Sequence, residues 1–282
     1  MPSVTGDGMD LSGKTAVVTG AAMGIGLATA RRLVRDGCAV AVWDINPAAM
    51  DSACAELRGM GGKVLGQICD VSNAAAVRAC AEQTAREFGP VDILINNAGY
   101  VRGGDLLDVP EEILAKTMDV NLTSMLYTTR AFLPGMYERN LGHVVNISSA
   151  AGILGVPDMA AYSAAKWGVW GLTESLRHEA RNRGKGGVRF SSIHPSYIAT
   201  GMFEGARIGG LGSLLIPQLK SHDVIATCIV EEALKKGKSR LIRPRSVWLA
   251  ILIRGILPDA WFQAVIRLLN VHKSMSTWKG RP

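Results

Sequence analysis

Tyr162 and Lys166 stand four residues apart, and Ser149 precedes the tyrosine by thirteen. On a helix a four-residue spacing puts both side chains on one face, so the phenol and the ammonium address the same point in space. A phenol ordinarily has a pKa near ~10, too high for a base at neutral pH, and a nearby positive charge favours its phenolate. The pair therefore suits a site that moves a proton on or off a hydroxyl, with Tyr162 as acid and base and Lys166 as the cation. Alone, the same spacing describes many solvated helix faces, and Ser148-Ser149 ahead of Gly152 describes an ordinary turn. The upstream sequence tips the balance toward chemistry.

That sequence is Thr19-Gly20-Ala21-Ala22-Met23-Gly24-Ile25-Gly26. It follows Lys14-Thr15-Ala16-Val17-Val18-Thr19, a short run rich in β-branched residues. It precedes the helical apolar pattern Ile25, Leu27, Ala28, Ala30, Leu33, Val34. The order is strand, turn, helix. Such a turn aims the free amides and the positive dipole end of a helix at a phosphate. Gly20 permits the tight turn, while Gly24 and Gly26 remove side chains where pyrophosphate and strand approach. The spacing Gly-x-x-x-Gly-x-Gly departs from the common Gly-x-Gly-x-x-Gly fingerprint. A second buried strand, Ala39-Val40-Ala41-Val42-Trp43-Asp44, then ends in a carboxylate able to accept both ribose hydroxyls of an adenosine.

With these motifs the chain resembles the short-chain dehydrogenases/reductases, from about Leu11 to Pro244. The resemblance continues through Asp70-Val71 after the third strand, which it implies contact adenine, and Asn96-Asn97-Ala98-Gly99 after the fourth. In the plain reading Asn96 and Asn97 are ordinary turn residues after the strand; in the functional one Asn97 to Gly99 press on the adenosine ribose. Asn121, Ser149, Tyr162 and Lys166 match the family's catalytic positions, with Ser149 chosen over Ser148 by its distance to Tyr162. His194-Pro195-Ser196-Tyr197-Ile198-Ala199-Thr200 completes the match, Pro195, Ile198 and Thr200 falling beside the nicotinamide. Ser196 departs from the family's usual Pro-Gly. The resemblance implies hydride transfer between a nicotinamide and a carbinol carbon. It also implies that Ser149 bonds the substrate oxygen, that Lys166 bonds the nicotinamide ribose, and that Asn121 holds a water completing a proton relay. Pairing into a dimer or tetramer through the helices of Asn121 and Tyr162 is implied as well, with Ala164, Ala165, Gly168 and Gly171 as small residues on the latter.

The expected fold is α/β: one Rossmann-like, doubly wound domain with seven parallel strands near 14–19, 38–44, 63–69, 91–95, 142–147, 188–194 and 239–243. Helices cover both faces. Residues 1–245 form the catalytic domain and 246–282 a helical extension, with no repeat or linker between. The first ten residues lack a basic start and an apolar core, so they are no secretory signal. Five cysteines, Cys38, Cys54, Cys69, Cys80 and Cys228, show no Cys-x-x-Cys spacing, and no histidine sits at ligand spacing. Reduced thiols, a cytoplasmic location and no metal are the expectation. The net charge of +7 comes from the C-terminal stretch, where Lys235, Lys236, Lys238, Arg240, Arg243, Arg245, Arg254, Arg267, Lys273, Lys279 and Arg281 face chiefly Asp259. Without a recognisable nucleic-acid module, it does not point to nucleic acid.

Charge also bears on the cofactor. A 2′-phosphate beside Asp44 would oppose two anions, and the chain has Met23 and Ile45-Asn46 where NADP-using relatives commonly carry Arg or Lys. NAD is expected. The loop 201–221 carries Met202, Phe203, Ile208, Leu211, Leu214, Leu215 and Ile216 among Gly205, Gly209, Gly210 and Gly212, with Arg207 as its only arginine. Either it is a mobile lid over an apolar ligand, or its apolar residues pack on the domain. The substrate expected is a hydrophobic secondary alcohol or ketone, alicyclic, aromatic or steroid-like. Two helices broken at Leu257-Pro258 follow, each too short to span a bilayer. They suit a membrane interface, a cap on the pocket or a subunit contact, and the last two are preferred. A non-catalytic nucleotide-binding scaffold and an epimerase using the same Tyr and Lys are the alternatives.

Overall fold

The computed structural model describes residues 8–198, 202, 213, 216–269 and 278. Seven parallel strands form one sheet: β1 Thr15–Thr19, β2 Ala39–Asp44, β3 Val64–Ile68, β4 Ile93–Asn96, β5 Gly142–Ile147, β6 Val188–Pro195 and β7 Arg240–Arg243. Their order is β3-β2-β1-β4-β5-β6-β7, and each neighbouring pair is parallel. The direction of winding reverses between β1 and β4, the crevice where such folds hold ligands. The fourth strand begins at Ile93 rather than Val91. Asp92, just before it, still bonds both neighbouring strands through its backbone, donating to the Thr15 carbonyl and accepting the His143 N–H, while its carboxylate accepts the Thr15 N–H at 3.2 Å and pairs with Arg139.

Alternate residues of the inner strands serve opposite faces. Ala16, Val18, Val40, Val42, Ile93, Ile95 and Val145 pack on one side against α1 (Gly24–Arg35), α2 (Pro47–Gly59) and the segment 225–234. Val17, Ala41, Trp43, Leu94, Val144 and Phe190 pack on the other against α3 (Ala74–Phe88), α5 (Ser124–Arg139) and α6 (Ala160–Asn182). Both faces are dry, which is why these strands read as continuous apolar runs. β3 lies at the sheet edge, and its last residue Ile68 is exposed.

A polar thread runs through this apolar body. Thr128 of α5 donates to Asn96 Oδ1 at 2.7 Å, Asn96 Nδ2 donates to Asn146 Oδ1 at 2.8 Å, and Asn146 Nδ2 donates to Thr173 Oγ1 of α6 at 3.0 Å. All four side chains are buried. The thread ties α5, β4, β5 and α6 in a fixed register, because each buried donor left without its partner would cost a desolvation penalty. Asn96 is thus a strand residue with an internal partner, not a turn residue.

α4 (Glu111–Met118) runs into a π-helical turn, Asp119–Thr123, before α5 begins. Such a turn inserts one residue into the helical register, and it commonly marks a functional position. Asn121 sits within it. Of the small residues expected at a subunit contact on α6, two face inward instead. Ala165 is fully buried, and a Cβ on Gly168 would stand 2.7 Å from Leu122.

Beyond β7, helices Val247–Ile256 and Asp259–Leu268 break at Leu257-Pro258 as the sequence suggests. Val247, Ile251, Ile253, Phe262 and Ile266 seat them on Ile153, Leu154 and Ile242 of the body. Arg254 lies over Trp167 and donates to the Ile153 carbonyl at 2.9 Å. Their outer faces carry exposed Trp248, Leu252, Ile256, Trp261 and Leu268. Among the described residues no helix is long and apolar enough to cross a membrane.

Asn146→Ala removes the centre of the polar thread and strands partners on two elements. Its urea midpoint should fall, corresponding to a loss of about 1–3 kcal/mol at an unchanged m-value. An unchanged midpoint would show that the thread contributes nothing to stability.

Candidate active site

The glycine turn is built as its spacing implies, with separate causes for its three glycines. Gly20 has φ +61°, and a Cβ there would stand 2.9 Å from the Ala98 backbone. Gly24, at φ +60°, needs its conformation rather than space. Gly26 needs space alone: its Cβ would lie 2.2 Å from the Gly20 carbonyl. α1 starts at Gly24 with Met23 as N-cap and no side-chain capping bond. Its first amides are therefore available to an anion.

The turn is held from β4. Thr19 Oγ1 accepts the N–H groups of Asn97 and Ala98 at 2.9 and 3.0 Å, and Asn97 Nδ2 donates to the carbonyls of Thr19 and Gly20 at 2.9 and 3.0 Å. Asp44 is fixed by the glycine turn and by its own following residues. Its Oδ2 accepts the Ala22 N–H at 2.9 Å and its Oδ1 the Asn46 N–H at 3.1 Å. Asp70 closes β3 with an Asx turn, its Oδ1 accepting both the N–H and the hydroxyl of Ser72.

These groups share one cleft of about 510 Å³ with the proton-transfer residues. Gly20, Met23, Gly24, Ile25, Asp44, Asp70, Val71, Asn97, Ala98, Gly99, Asn121, Ser149, Tyr162, Lys166, Pro195 and Ile198 all line it. Gly26 does not, because it packs behind the turn. Thr200 lies outside the described residues, as do Phe203, Arg207, Ile208, Leu211, Leu214 and Leu215 of the expected lid. Ser196 adopts no left-handed backbone, so serine replaces the family's glycine without strain.

Lys166 is buried and donates from Nζ to the carbonyl of Ile147, the last residue of β5, at 2.9 Å. Ser148 Oγ donates to the backbone carbonyl of Lys166 at 2.8 Å. A Cβ on Gly152 would meet that carbonyl at 2.5 Å. Ser148 is thus the docking residue of α6, which separates its task from that of Ser149. Ser149 caps the short turn Ala150–Gly152 through the Ala151 N–H and also hydrogen-bonds Tyr162. The turn reading and the site reading of Ser149 hold together.

Burial governs the charges. It pushes Tyr162 well above the usual phenol range, Ser149's hydrogen bond acting against it and nearby Tyr197 with it. It pushes Lys166 down to about 7. The Lys166 ammonium lies 5.6 Å from the Tyr162 ring centroid, and burial is the largest influence on the phenol. His194 behind Ser149 is pushed down to about 4 by burial, so it is neutral.

Asn121 spends both amide protons inside the protein, on the carbonyls of Tyr100 at 2.6 Å and Thr117 at 2.8 Å. Of its side chain only Oδ1, which also accepts the Tyr100 N–H at 3.4 Å, remains for a water. Sequence reasoning missed several cleft residues, including Cys69, Tyr100, Lys116, Ile147, Met202 as a wall and His222. Cys69, Tyr100 and Ile147 adjoin recognised motifs and were legible by adjacency. His222 was not, since its ring reaches the turn from distant sequence, 3.7 Å from where a Gly24 Cβ would stand.

The family model described as short chain dehydrogenase matches residues 14–208. The chain belongs to the short-chain dehydrogenase family, whose members are oxidoreductases. It is 35% identical to "Epidermal retinol dehydrogenase 2" of Homo sapiens over 88% of its length and 80% of the relative's. Among solved structures it resembles a short-chain dehydrogenase/reductase from Burkholderia phymatum in complex with NAD: TM-score 0.79, 29% identity, 90% of this chain and 96% of that one. It also resembles a metagenomic short-chain oxidoreductase in complex with NADP: TM-score 0.69, 32% identity, 83% and 98%.

The lowered pKa of Lys166 makes a stability prediction. Between about 7 and 10.5 the unfolded chain holds a proton that the folded chain releases, so folding stability rises with pH across that window. Lys166→Met abolishes the dependence. The urea-derived stability of wild type relative to Lys166→Met should climb by about 1.4 kcal/mol per pH unit in mid-window. Parallel stability curves for the two proteins would mean an ordinary, solvated amine.

Proposed function

We propose that this protein transfers hydride between NAD(H) and a hydrophobic secondary alcohol or ketone, with Tyr162 as the acid and base. The observation that carries the reading is the single cleft joining Asp44 and the glycine turn to Ser149, Tyr162 and Lys166. The cleft fits a dinucleotide by its chemistry. Gly20 leaves the backbone bare where a Cβ would strike Ala98, α1 opens uncapped toward it, and Asp44 offers a carboxylate fixed by two amides. Gly20, Met23, Gly24 and Ile25 would hold the pyrophosphate, Asp44 the adenosine ribose, and Asp70 and Val71 the adenine. Asn97 to Gly99, Lys166, Pro195 and Ile198 would line the remainder. When bound, the nicotinamide takes or gives the hydride at the substrate carbon.

The chain's own residues manage the proton. In oxidation Tyr162 Oη takes the proton of the substrate hydroxyl; in reduction it returns one to the carbonyl oxygen. Ser149, already bonded to Tyr162, bonds the substrate oxygen and stabilises charge developing there. As an ammonium Lys166 has two donors beyond the one on Ile147, and as a neutral amine one, enough in either form to fix a ribose hydroxyl. A water between Lys166 and solvent would be held by Oδ1 of Asn121, since its amide protons are spent.

Asp44 supports NAD over NADP, because a 2′-phosphate would face its carboxylate in a partly dry site. The substrate class rests on the surroundings of Tyr162. Val101, Ala151 and Met159 are buried around it, with Val156, Tyr197 and Met202 packed alongside. Retinol, named for the human relative, is likewise an apolar, ring-bearing alcohol. Exposed Leu126 on α5 and Trp167 on α6 support assembly as a dimer or tetramer through those helices. Five buried, unpaired cysteines support a reducing, cytoplasmic setting.

The test is nicotinamide absorbance with a panel of alicyclic, aromatic and steroid alcohols and retinol. Wild type should turn over with a higher kcat/KM for NAD than for NADP, and Asp44→Ser should narrow that gap. Tyr162→Phe should lose about 10²–10⁴-fold in kcat while still binding NADH. Binding of NADH without turnover of any alcohol would discard the dehydrogenase reading, and a transient rather than net absorbance change would replace it with the epimerase.

A further inference from the structure

Trp278 stands 112 residues beyond Lys166, yet its indole packs on the apolar cluster around Tyr162. Two contacts define its pose. Nε1 donates to the carbonyl of Met202 at 3.2 Å, and the ring lies so close over Gly103 that a Cβ there would stand 2.5 Å from Cζ3. Gly103 thus leaves bare backbone as the floor on which the ring rests. Met202, which holds the indole by its carbonyl, itself lines the cleft. The indole is only partly buried, so it is no ordinary core residue: part of its surface meets the Tyr162 cluster and part remains open.

We propose that Trp278 is the outer wall of the substrate chamber and sets its preference for alcohols and ketones with a bulky, ring-bearing apolar body. The inference rests on the hydride-transfer reading above. The hydroxyl or carbonyl of such a substrate must reach Tyr162 and Ser149, so the rest of its body lies among the neighbours of Tyr162, to which the indole belongs. A flat indole there removes apolar substrate surface from water while contributing only one donor, already spent on Met202. A short alcohol would not extend to the ring and would gain little from it. Because a distant apolar wall binds ground state and transition state alike, its contribution belongs in KM rather than kcat.

The test compares a bulky alicyclic alcohol with 2-propanol under saturating NAD in wild type, Trp278→Ala, Trp278→Phe and the control Trp261→Ala. Trp261 is an exposed tryptophan on the C-terminal helix Asp259–Leu268. The ratio of kcat/KM for the bulky alcohol to that for 2-propanol should fall about tenfold or more in Trp278→Ala. The loss should appear in KM, Trp278→Phe should restore most of it by keeping an aromatic wall, and Trp261→Ala should match wild type. An unchanged ratio, or equal losses in kcat for both alcohols, would overturn the assignment of Trp278 and leave the hydride-transfer reading standing. Failure of wild type to turn over either alcohol would overturn that reading and the assignment with it.

Discussion

The hydrogen bond from the buried Lys166 amine to the carbonyl of Ile147 is the contact on which the rest of the site depends. An amine taken out of water must find acceptors, and the end of a parallel strand supplies one that the sheet no longer uses. Three further features act at the same place: the Ser148 hydroxyl on the Lys166 carbonyl, the bare Gly152 beneath it, and Ser149 turning away toward Tyr162. Helix α6 is therefore docked on β5 at its Lys166 turn. Tyr162, one turn earlier, inherits its position from that docking. The low dielectric that strengthens the contact also opposes charge on both members of the pair, which is why Tyr162 rises and Lys166 falls.

Two scaffolds carry this arrangement to the nucleotide half of the cleft. The buried thread Thr128–Asn96–Asn146–Thr173 fixes β4 and β5 against α5 and α6. One residue further on, Asn97 and Thr19 lock the end of β4 to the glycine turn. Neighbouring asparagines at the end of β4 thus face opposite tasks, one inward to the catalytic helix and one across to the phosphate turn. Distances between the two halves of the cleft are set by short hydrogen bonds rather than by loop packing.

Much of this was legible in the sequence because it is local. β-branched runs gave the strands, the glycine spacing gave the turn, and a four-residue interval gave the Tyr162–Lys166 face. What required the third dimension was hidden for identifiable reasons. Asn96 read as a turn residue because its partner Asn146 lies fifty positions away. The π-helical turn at Asn121 leaves no mark in the apolar period. Ala165 and Gly168 looked like contact residues until Leu122 proved to lie against Gly168. Spacing shows that a cation is near a phenol, but burial, which raises Tyr162 and lowers Lys166, shows only in the fold. His222 reaches the cleft, and Trp278 the apolar cluster around Tyr162, from distant segments, and nothing near them in sequence announces it.

The ionisation of Tyr162 itself tests the central claim, that a dry pocket keeps the phenol protonated until positive charge is brought to it. Tyrosinate absorbance of wild type minus Tyr162→Phe, titrated without and with bound NAD, isolates that one group. The account predicts that without cofactor Tyr162 ionises above the ordinary phenol value near ~10, and that with NAD bound it ionises lower. A phenol that titrates at or below its ordinary value in the empty pocket, unmoved by NAD, would contradict it.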